Sequence, residues 1–199
     1  MKKILMTGFM PFGGEKVNPS WMAVEKVQVP DQVQLIREEL PVEYLAAAEK
    51  VRALMDMHAP DCVILVGQAG GRKAVSVEQV AVNLMDSMMP DNGGFKAVDL
   101  PVCPEGPAAY FSTLPVKKLV QAMKDAGVQA VRSLTAGSYV CNCTLYAALH
   151  HAKQENLQAE CCFIHVPFIP EQTVGKEAPS MPLEEIVTAL EAALKALAA

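Results

Sequence analysis

Short apolar runs that alternate with helical patterns constrain the fold of this chain more than any other feature. The strand candidates are residues 3–7, 34–40, 62–66, 77–84, 130–134 and 161–166. The helix candidates carry apolar residues at helical spacing and begin near Pro19, Val42, Leu114, Val140 and Pro182. Such alternation predicts an α/β fold, in which helices cover both faces of a mostly parallel open sheet. In sheets of this kind, functional residues gather beyond the carboxyl ends of the strands.

The length and charge of the chain limit its domain organisation and its partners. A length of 199 residues, of which 51% are hydrophobic and 20% charged, predicts a single α/β domain over residues 1–199. The net charge of −5 and the lack of a basic cluster argue against a nucleic-acid partner. No apolar stretch approaches the roughly 18 residues of a membrane span, and the first apolar stretch is too short for a secretory signal. We therefore expect a cytoplasmic protein without a membrane partner.

The six cysteines predict free thiols rather than a metal site. They form no Cys-x-x-Cys pair and match no zinc-ligand spacing, so we expect neither a metal nor another cofactor. Most free cysteines are buried small apolar residues. Cys141 differs because it lies between the apolar run 130–134 and a helical pattern. A thiol at a strand-to-helix junction faces unpaired N–H groups and the helix dipole, which favour the nucleophilic thiolate.

A histidine and a carboxylate complete a candidate hydrolytic site. His165 ends the last apolar run, and a single crossover brings it to the same sheet edge as Cys141 if their strands are neighbours. It then takes the thiol proton and later protonates a leaving amine; the alternative is a hydrogen-bonded strand histidine. Glu78 interrupts a β-patterned stretch and is one candidate for the acid that orients the imidazole. Asp91 is the competitor, although its Pro-Asp-Asn-Gly context is typical of a turn.

Two glycine-rich segments follow strand candidates. GQAGGR at residues 67–72 matches neither a dinucleotide-binding fingerprint nor a phosphate-binding loop. TGFMPFGG at residues 7–14 places Phe9 and Phe12 on a turn-rich loop without charge. Such rings are suited to clamp a small neutral ring while a few polar groups orient it.

Several segments together resemble the pyroglutamyl peptidase I family of intracellular cysteine peptidases. The similarity runs in order from the first residues to the last helix. The matching segments are TGFMPFGG (7–14), NPSW (18–21), VGQAGGR (66–72), EQVAVN (78–83), PDN (90–92), GPAAY (106–110), TAGSYVCN (135–142) and IHVPFIPEQ (164–172).

The resemblance implies a fold, an activity and an assembly. The fold is a three-layer α/β/α sandwich, usually assembled as a homotetramer. The activity is that of pyroglutamyl-peptidase I, which removes an N-terminal pyroglutamyl residue from blocked peptides by amide hydrolysis through a thioester. It needs no cofactor. Cys141 corresponds to the nucleophile, His165 to the base and acid, and Glu78 to the residue that orients the imidazole.

The resemblance also assigns a substrate pocket. Phe9 and Phe12 correspond to residues that hold the lactam ring, Gln68 and Asn18 lie near its polar edge, and Val140 lines the pocket. Asp91 matches an acidic position of the family. It is a possible supporting acid, with a structural role favoured over proton transfer.

Departures from the family pattern leave two other interpretations open. Met88 stands where members usually carry an arginine that supports the oxyanion, and Gln79 replaces another usual arginine. These changes motivate an alternative, a weakly active or non-catalytic relative that binds pyroglutamyl or other lactam termini. A third interpretation treats Cys141 and Cys143 as a redox or metal-sensing pair. The lack of further spaced ligands argues against it.

Overall fold

The computed structural model describes residues 1–198, which form a six-stranded sheet and a separate two-stranded sheet. The strands are β1 (Lys2–Phe9), β2 (Val33–Leu40), β3 (Cys62–Gln68), β4 (Val75–Glu78), β5 (Val80–Val82), β6 (Ala109–Phe111), β7 (Ala130–Ser133) and β8 (Glu160–Val166). The helices are α1 (Pro19–Lys26), α2 (Tyr44–His58), α3 (Val116–Asp125), α4 (Val140–Gln154) and α5 (Leu183–Ala198).

The large sheet has the strand order β2-β1-β3-β8-β4-β7. Strands β2, β1, β3 and β8 are parallel to one another, β4 pairs antiparallel with β8, and β7 is parallel to β4. The sheet is therefore mostly parallel, as predicted. Its one antiparallel pair reverses the direction of the last two strands.

Helices cover both faces of this sheet and create two separate cores. One core contains Ile4 and Met6 of β1 with residues of α1, α3 and α5, and the other contains Leu5 with residues of α2 and α4. Neighbouring side chains on a strand point to opposite faces, and Cys161 and Cys162 accordingly enter different cores. This arrangement confirms the predicted α/β fold with three layers. Within residues 1–198, no helix combines the length and apolar character required to cross a bilayer.

One strand prediction needs correction, and one strand was not predicted. The predicted strand at 77–84 is two strands, since β4 ends at Glu78 and β5 pairs with β6 in the small sheet. The chain changes sheets at Gln79, whose backbone N–H donates to Ser133 and whose carbonyl accepts from Ser112. Strand β6 was not predicted because its three residues are too few to show a periodicity.

Candidate active site

Cys141 is the second residue of α4, where the first-turn N–H groups of the helix are free of intrahelical partners. The N-cap residue, Tyr139, makes no side-chain capping hydrogen bond to them. Loop residues 134–139 connect β7 to this helix, and Gly137 within the loop adopts a positive φ of 79°. The helix therefore presents uncapped N–H donors beside the Cys141 thiol.

The route by which Cys141 reaches His165 differs from the one predicted. Strands β7 and β8 are not neighbours, because β4 lies between them and both β4 and β7 run opposite to β8. The single-crossover argument is therefore wrong. The loop at 134–139 instead carries the chain to the carboxyl ends of β3 and β8, where α4 begins.

A glycine brings the thiol against the strand beside His165. Gly67 of β3 is the register partner of His165 on β8. A Cβ atom built on Gly67 would lie 3.0 Å from Cys141 Sγ and 2.6 Å from Phe163 Cζ. These distances are too short for a side chain, so glycine is required here for the thiol to pack on the strand. Cys141 and His165 line one cleft.

His165, Glu78 and Arg72 form a hydrogen-bonded chain behind the thiol. His165 Nδ1 lies 2.7 Å from Glu78 Oε1, and the Arg72 guanidinium donates to the same oxygen at 2.6 Å. A carboxylate that already accepts from Arg72 can only accept from the imidazole, so Nδ1 carries the proton. The Nε2 atom of a neutral His165 is then an unprotonated base.

Arg72 ends the VGQAGGR segment, and the sequence pattern alone does not indicate its role. Its second terminal nitrogen donates to the carbonyl of Thr135 at 3.1 Å, in the loop that leads to Cys141. Glu78 is completely buried, and its Oε2 atom has no hydrogen-bond partner among the described residues. Arg72 thus supplies the positive charge for a buried carboxylate and also links that carboxylate to the loop before the thiol.

The electrostatics of the site keep both reacting groups neutral at rest. Burial, assisted by the charge of Glu78, raises the pKa of the Cys141 thiol to about 12, although Arg72 and a backbone N–H act in the opposite direction. Burial also lowers the pKa of His165 from 6.5, against the opposing effect of Glu78. Burial therefore opposes the stabilisation of a thiolate that was expected from the helix terminus. Desolvation outweighs the helix N–H groups.

The cleft beside these groups has a volume of about 240 Å³. None of its lining side chains carries a permanent charge. They are Phe9, Phe12, Asn18, Val42, Gln68, Ser87, Met89, Ala136, Tyr139, Val140, Cys141 and His165. All five residues that the family resemblance assigned to the substrate pocket are among them.

The aromatic residues are held by packing and the polar ones by hydrogen bonds. Phe9 is almost fully buried and packs on Phe163, whereas Phe12 packs on Tyr139. Asn18 caps α1, because its Oδ1 accepts from Ser20 N at 3.1 Å. Its Nδ2 donates to the carbonyl of Met10 in the preceding loop at 3.0 Å. Asn18 therefore shapes the loop that carries Phe9 and Phe12 as well as lining the cleft.

Asp91 does not line the cleft. Its two carboxylate oxygens accept from the backbone N–H groups of Tyr44, Gly93 and Phe95 at 2.9–3.0 Å. These contacts hold the start of α2 and the turn that follows Pro90. They give Asp91 a structural function and place no proton-transfer partner beside it.

The residues that motivated the other interpretations, apart from Cys141 itself, do not line the cleft; they are Met88, Gln79 and Cys143. The Met88 side chain is 87% exposed and does not line the cleft, although Ser87 and Met89 do. Cys143 is buried, with its Sγ near the carbonyl of Tyr44 and the sulfur of Met85. All six cysteines are free thiols, and no group of three or more His, Cys, Asp or Glu among residues 1–198 is arranged to hold a metal ion.

Comparison with known proteins agrees with this geometry. The sequence model of the family described as pyroglutamyl peptidase matches residues 2–199. The chain belongs to the pyroglutamyl peptidase family. Pyrrolidone-carboxylate peptidase from Thermococcus onnurineus is 47% identical over 196 residues, which are 97% of each chain. The Bacillus subtilis protein of the same name is 43% identical over 96% of this chain and 90% of its own.

Solved structures of the pyroglutamyl peptidase family share the fold described above. Pyroglutamyl peptidase I from Bacillus amyloliquefaciens superposes with a TM-score of 0.96 at 41% identity, covering 99% of this chain and 95% of its own. A mutant pyrrolidone carboxyl peptidase from Pyrococcus furiosus superposes with a TM-score of 0.93 at 40% identity, covering 98% and 97% of the two chains.

Proposed function

We propose that this protein is a pyroglutamyl-peptidase I that removes the N-terminal pyroglutamyl residue from blocked peptides. The observation that carries the proposal is the position of the Cys141 thiol. It lies on the strand beside His165, whose imidazole is held by Glu78, and it opens into an uncharged, partly aromatic cleft.

The charge of the cleft is suited to a lactam terminus. An ordinary N-terminus carries an ammonium group, whose burial without a counter-charge is strongly unfavourable. The lining side chains include no Asp or Glu that would supply one. A pyroglutamyl terminus is neutral and has an apolar ring face with a polar amide edge. Phe9 and Phe12 would contact the ring face, and Gln68 and Asn18 would lie near the polar edge.

The first chemical step is acylation of the thiol. His165 Nε2 takes the proton from Cys141 Sγ as the sulfur attacks the pyroglutamyl carbonyl carbon. The carbonyl oxygen becomes an oxyanion, which the first-turn N–H groups of α4 stabilise. Collapse of this intermediate breaks the C–N bond, and the imidazolium gives its proton to the departing amine. The product is a thioester on Cys141.

The second step releases the pyroglutamate. His165 takes a proton from a water molecule, whose oxygen attacks the thioester carbonyl. The same N–H groups stabilise the second oxyanion, and the sulfur leaves and recovers its proton from the imidazolium. Glu78 does not transfer a proton in either step. It holds the imidazole by its Nδ1–H and stabilises the transient positive charge.

A paired-substrate assay tests the proposal. We expect the pure protein to release naphthylamine from pyroglutamyl-naphthylamide, and not from prolyl-naphthylamide, whose ring lacks the lactam carbonyl. Prior treatment with iodoacetamide should remove this activity, with the modification mapped to Cys141. Thermal stabilisation by a pyroglutamyl amide without any turnover would instead support a non-catalytic binder.

The two other interpretations are not favoured. The non-catalytic alternative was motivated by Met88 and Gln79, yet neither residue lines the cleft, and the Met88 side chain is exposed to solvent. The redox interpretation required Cys141 and Cys143 to act together. Cys143 instead packs in the core between α2 and α4.

Arg72→Met is expected to shift the pH profile of hydrolysis. The Arg72 charge lowers the pKa of His165, so its removal raises that pKa and keeps the imidazole protonated to higher pH. The acid limb of kcat/KM should therefore move to higher pH. Loss of the hydrogen bonds to Glu78 and Thr135 should also destabilise the fold by about 1.5–3 kcal/mol.

The matched control for this variant is Lys73→Met. It removes the same charge from the adjacent residue, which is exposed. Its pH profile, measured with pyroglutamyl-naphthylamide, should match that of the unmodified protein. An unshifted acid limb in Arg72→Met would contradict the assigned electrostatic role.

The proposal extends to assembly and location. A homotetramer in the cytoplasm agrees with six free thiols and with exposed apolar side chains in the segment that follows β5. Those side chains are Met88, Met89, Phe95, Val98 and Leu100. Sedimentation equilibrium of the pure protein distinguishes a tetramer from a monomer.

A further inference from the structure

Gln172 contacts the cleft only indirectly, through Gln68. It lies in a single 3-10 turn, Pro170–Gln172, and is buried. The backbone N–H of Ile169 lies 3.1 Å from one atom of its side-chain amide. A backbone N–H can only donate, so that atom is the oxygen, Oε1.

The other half of the Gln172 amide is therefore the nitrogen. Nε2 lies 2.8 Å from the side chain of Gln68, and it also lies 3.3 Å from Glu15 Oε2 and 3.4 Å from the carbonyl of Val17. The last two atoms are acceptors, which agrees with a donor at this position. The atom of Gln68 that meets Nε2 must be its oxygen, because two amide nitrogens cannot hydrogen-bond to each other here.

This chain of contacts fixes which end of the Gln68 amide remains for the cleft. With Oε1 held by Gln172, the free end is Nε2. This nitrogen makes no hydrogen bond to another described residue. It is not completely buried, since the buried side-chain atoms without a partner are Thr7 Oγ1 and Glu78 Oε2. Gln68 lines the cleft together with Cys141 and His165. The cleft is thus given an N–H donor.

We propose that Gln172 is a positioning residue that holds the Gln68 amide with Nε2 toward the cleft, so that the site donates a hydrogen bond to the ring carbonyl of a lactam terminus. The inference rests on the proposed function. A site built to hydrogen-bond one substrate group rejects an analogue that lacks it, because its buried polar atom is left unpaired. Gln172 thereby contributes to the choice of a pyroglutamyl over a prolyl terminus without touching either.

Gln172→Glu is expected to reverse the orientation of the Gln68 amide while nearly preserving the shape of the side chain at position 172. The introduced carboxylate still accepts from Ile169 N–H but cannot donate to Gln68. The Gln68 amide then turns to donate to the carboxylate and presents Oε1 to the cleft. When substrate binds, Gln68 Oε1 then faces the ring carbonyl oxygen of the lactam, and both atoms are acceptors. The value of kcat/KM for pyroglutamyl-naphthylamide should therefore fall about 30-fold to 100-fold. Most of this change should appear in KM.

Acid should rescue this variant. A protonated carboxyl at position 172 again offers one acceptor and one donor, which restores the original amide orientation. Burial and the neighbouring Glu15 carboxylate favour protonation, whereas Lys176, which donates to Glu15 at 2.8 Å, opposes it. The ratio of variant to unmodified kcat/KM should therefore rise as the pH falls. Gln172→Leu, which cannot donate at any pH, should give a ratio that does not change with pH.

Two further variants complete the experiment. Glu171→Gln alters the neighbouring exposed residue and should leave the kinetics unchanged. Gln68→Met removes the proposed donor directly and should lower kcat/KM by a similar factor without acid rescue. Full kcat/KM in Gln68→Met, or a folded Gln172→Glu with unchanged KM and an unchanged pH ratio, overturns the inference. A lack of pyroglutamyl hydrolysis by the unmodified protein would contradict the proposed function instead.

Discussion

Cys141→Ser is expected to lower the turnover of pyroglutamyl-naphthylamide by at least about 10⁴-fold, because the nucleophile and its base act as a unit. The resting site contains a neutral thiol and a neutral imidazole, so the proton must move to His165 as the nucleophile attacks. A serine hydroxyl is far less acidic than a thiol, and the same imidazole is too weak a base to activate it without further help.

The fold should tolerate this substitution. Cys141 is only half-buried, and serine keeps the shape of the side chain beside Gly67. We therefore expect the free energy of unfolding to change by no more than about 1 kcal/mol. Urea denaturation measures this change, and it separates loss of chemistry from loss of structure.

Cys143→Ser is the matched control. It makes the same replacement two residues further along α4, on a side chain that lies in the core and not in the cleft. Turnover should be retained, with some loss of stability because a hydroxyl replaces a buried thiol. If Cys141→Ser and Cys143→Ser hydrolysed the substrate equally well, Cys141 would not be the nucleophile.

The strands and helices were largely predictable because local pattern determines them. Asn18 before Pro19 marks the start of α1, and the structure shows the Asn18 side chain capping that helix. The apolar run of β3 is continuous because both faces of the strand are buried. Pattern did not reveal the split near Gln79, since β4 and β5 read as one β-patterned stretch and only tertiary contacts assign them to different sheets.

The residues of the site were easier to predict than the path that brings them together. Cys141, His165 and Glu78 are marked by chemistry that is unusual for their positions. Strand order and direction are not encoded in local sequence patterns. The position of β4 between β7 and β8 was therefore not predicted. The same limit applies to electrostatics, because a pKa depends on burial in three dimensions. Arg72 and Gln172 were overlooked for a similar reason, because their roles depend on contacts with Glu78 and Gln68 that only the folded chain reveals.

Glu78→Gln is expected to lower turnover by about 10⁴-fold, the order of loss known for replacing an orienting carboxylate by its amide. Glu78 raises the pKa of His165 against the effect of burial, so removing its charge lowers that pKa further. The imidazolium that must protonate the leaving amine becomes less stable. The amide can also turn its NH₂ group toward His165, which would favour the wrong imidazole tautomer.

The direction of the pH shift distinguishes this variant from one that merely disturbs packing. The acid limb of kcat/KM should move to lower pH in Glu78→Gln, opposite to the shift expected for Arg72→Met, because the two substitutions remove charges of opposite sign beside His165. Glu160→Gln is the control, since it makes the same change at the exposed start of the strand that carries His165. It should alter neither turnover nor the pH profile. Shifts in the same direction for Glu78→Gln and Arg72→Met would show that the Glu78 charge does not set the pKa of His165, and the proposed division of roles among Arg72, Glu78 and His165 would then fail.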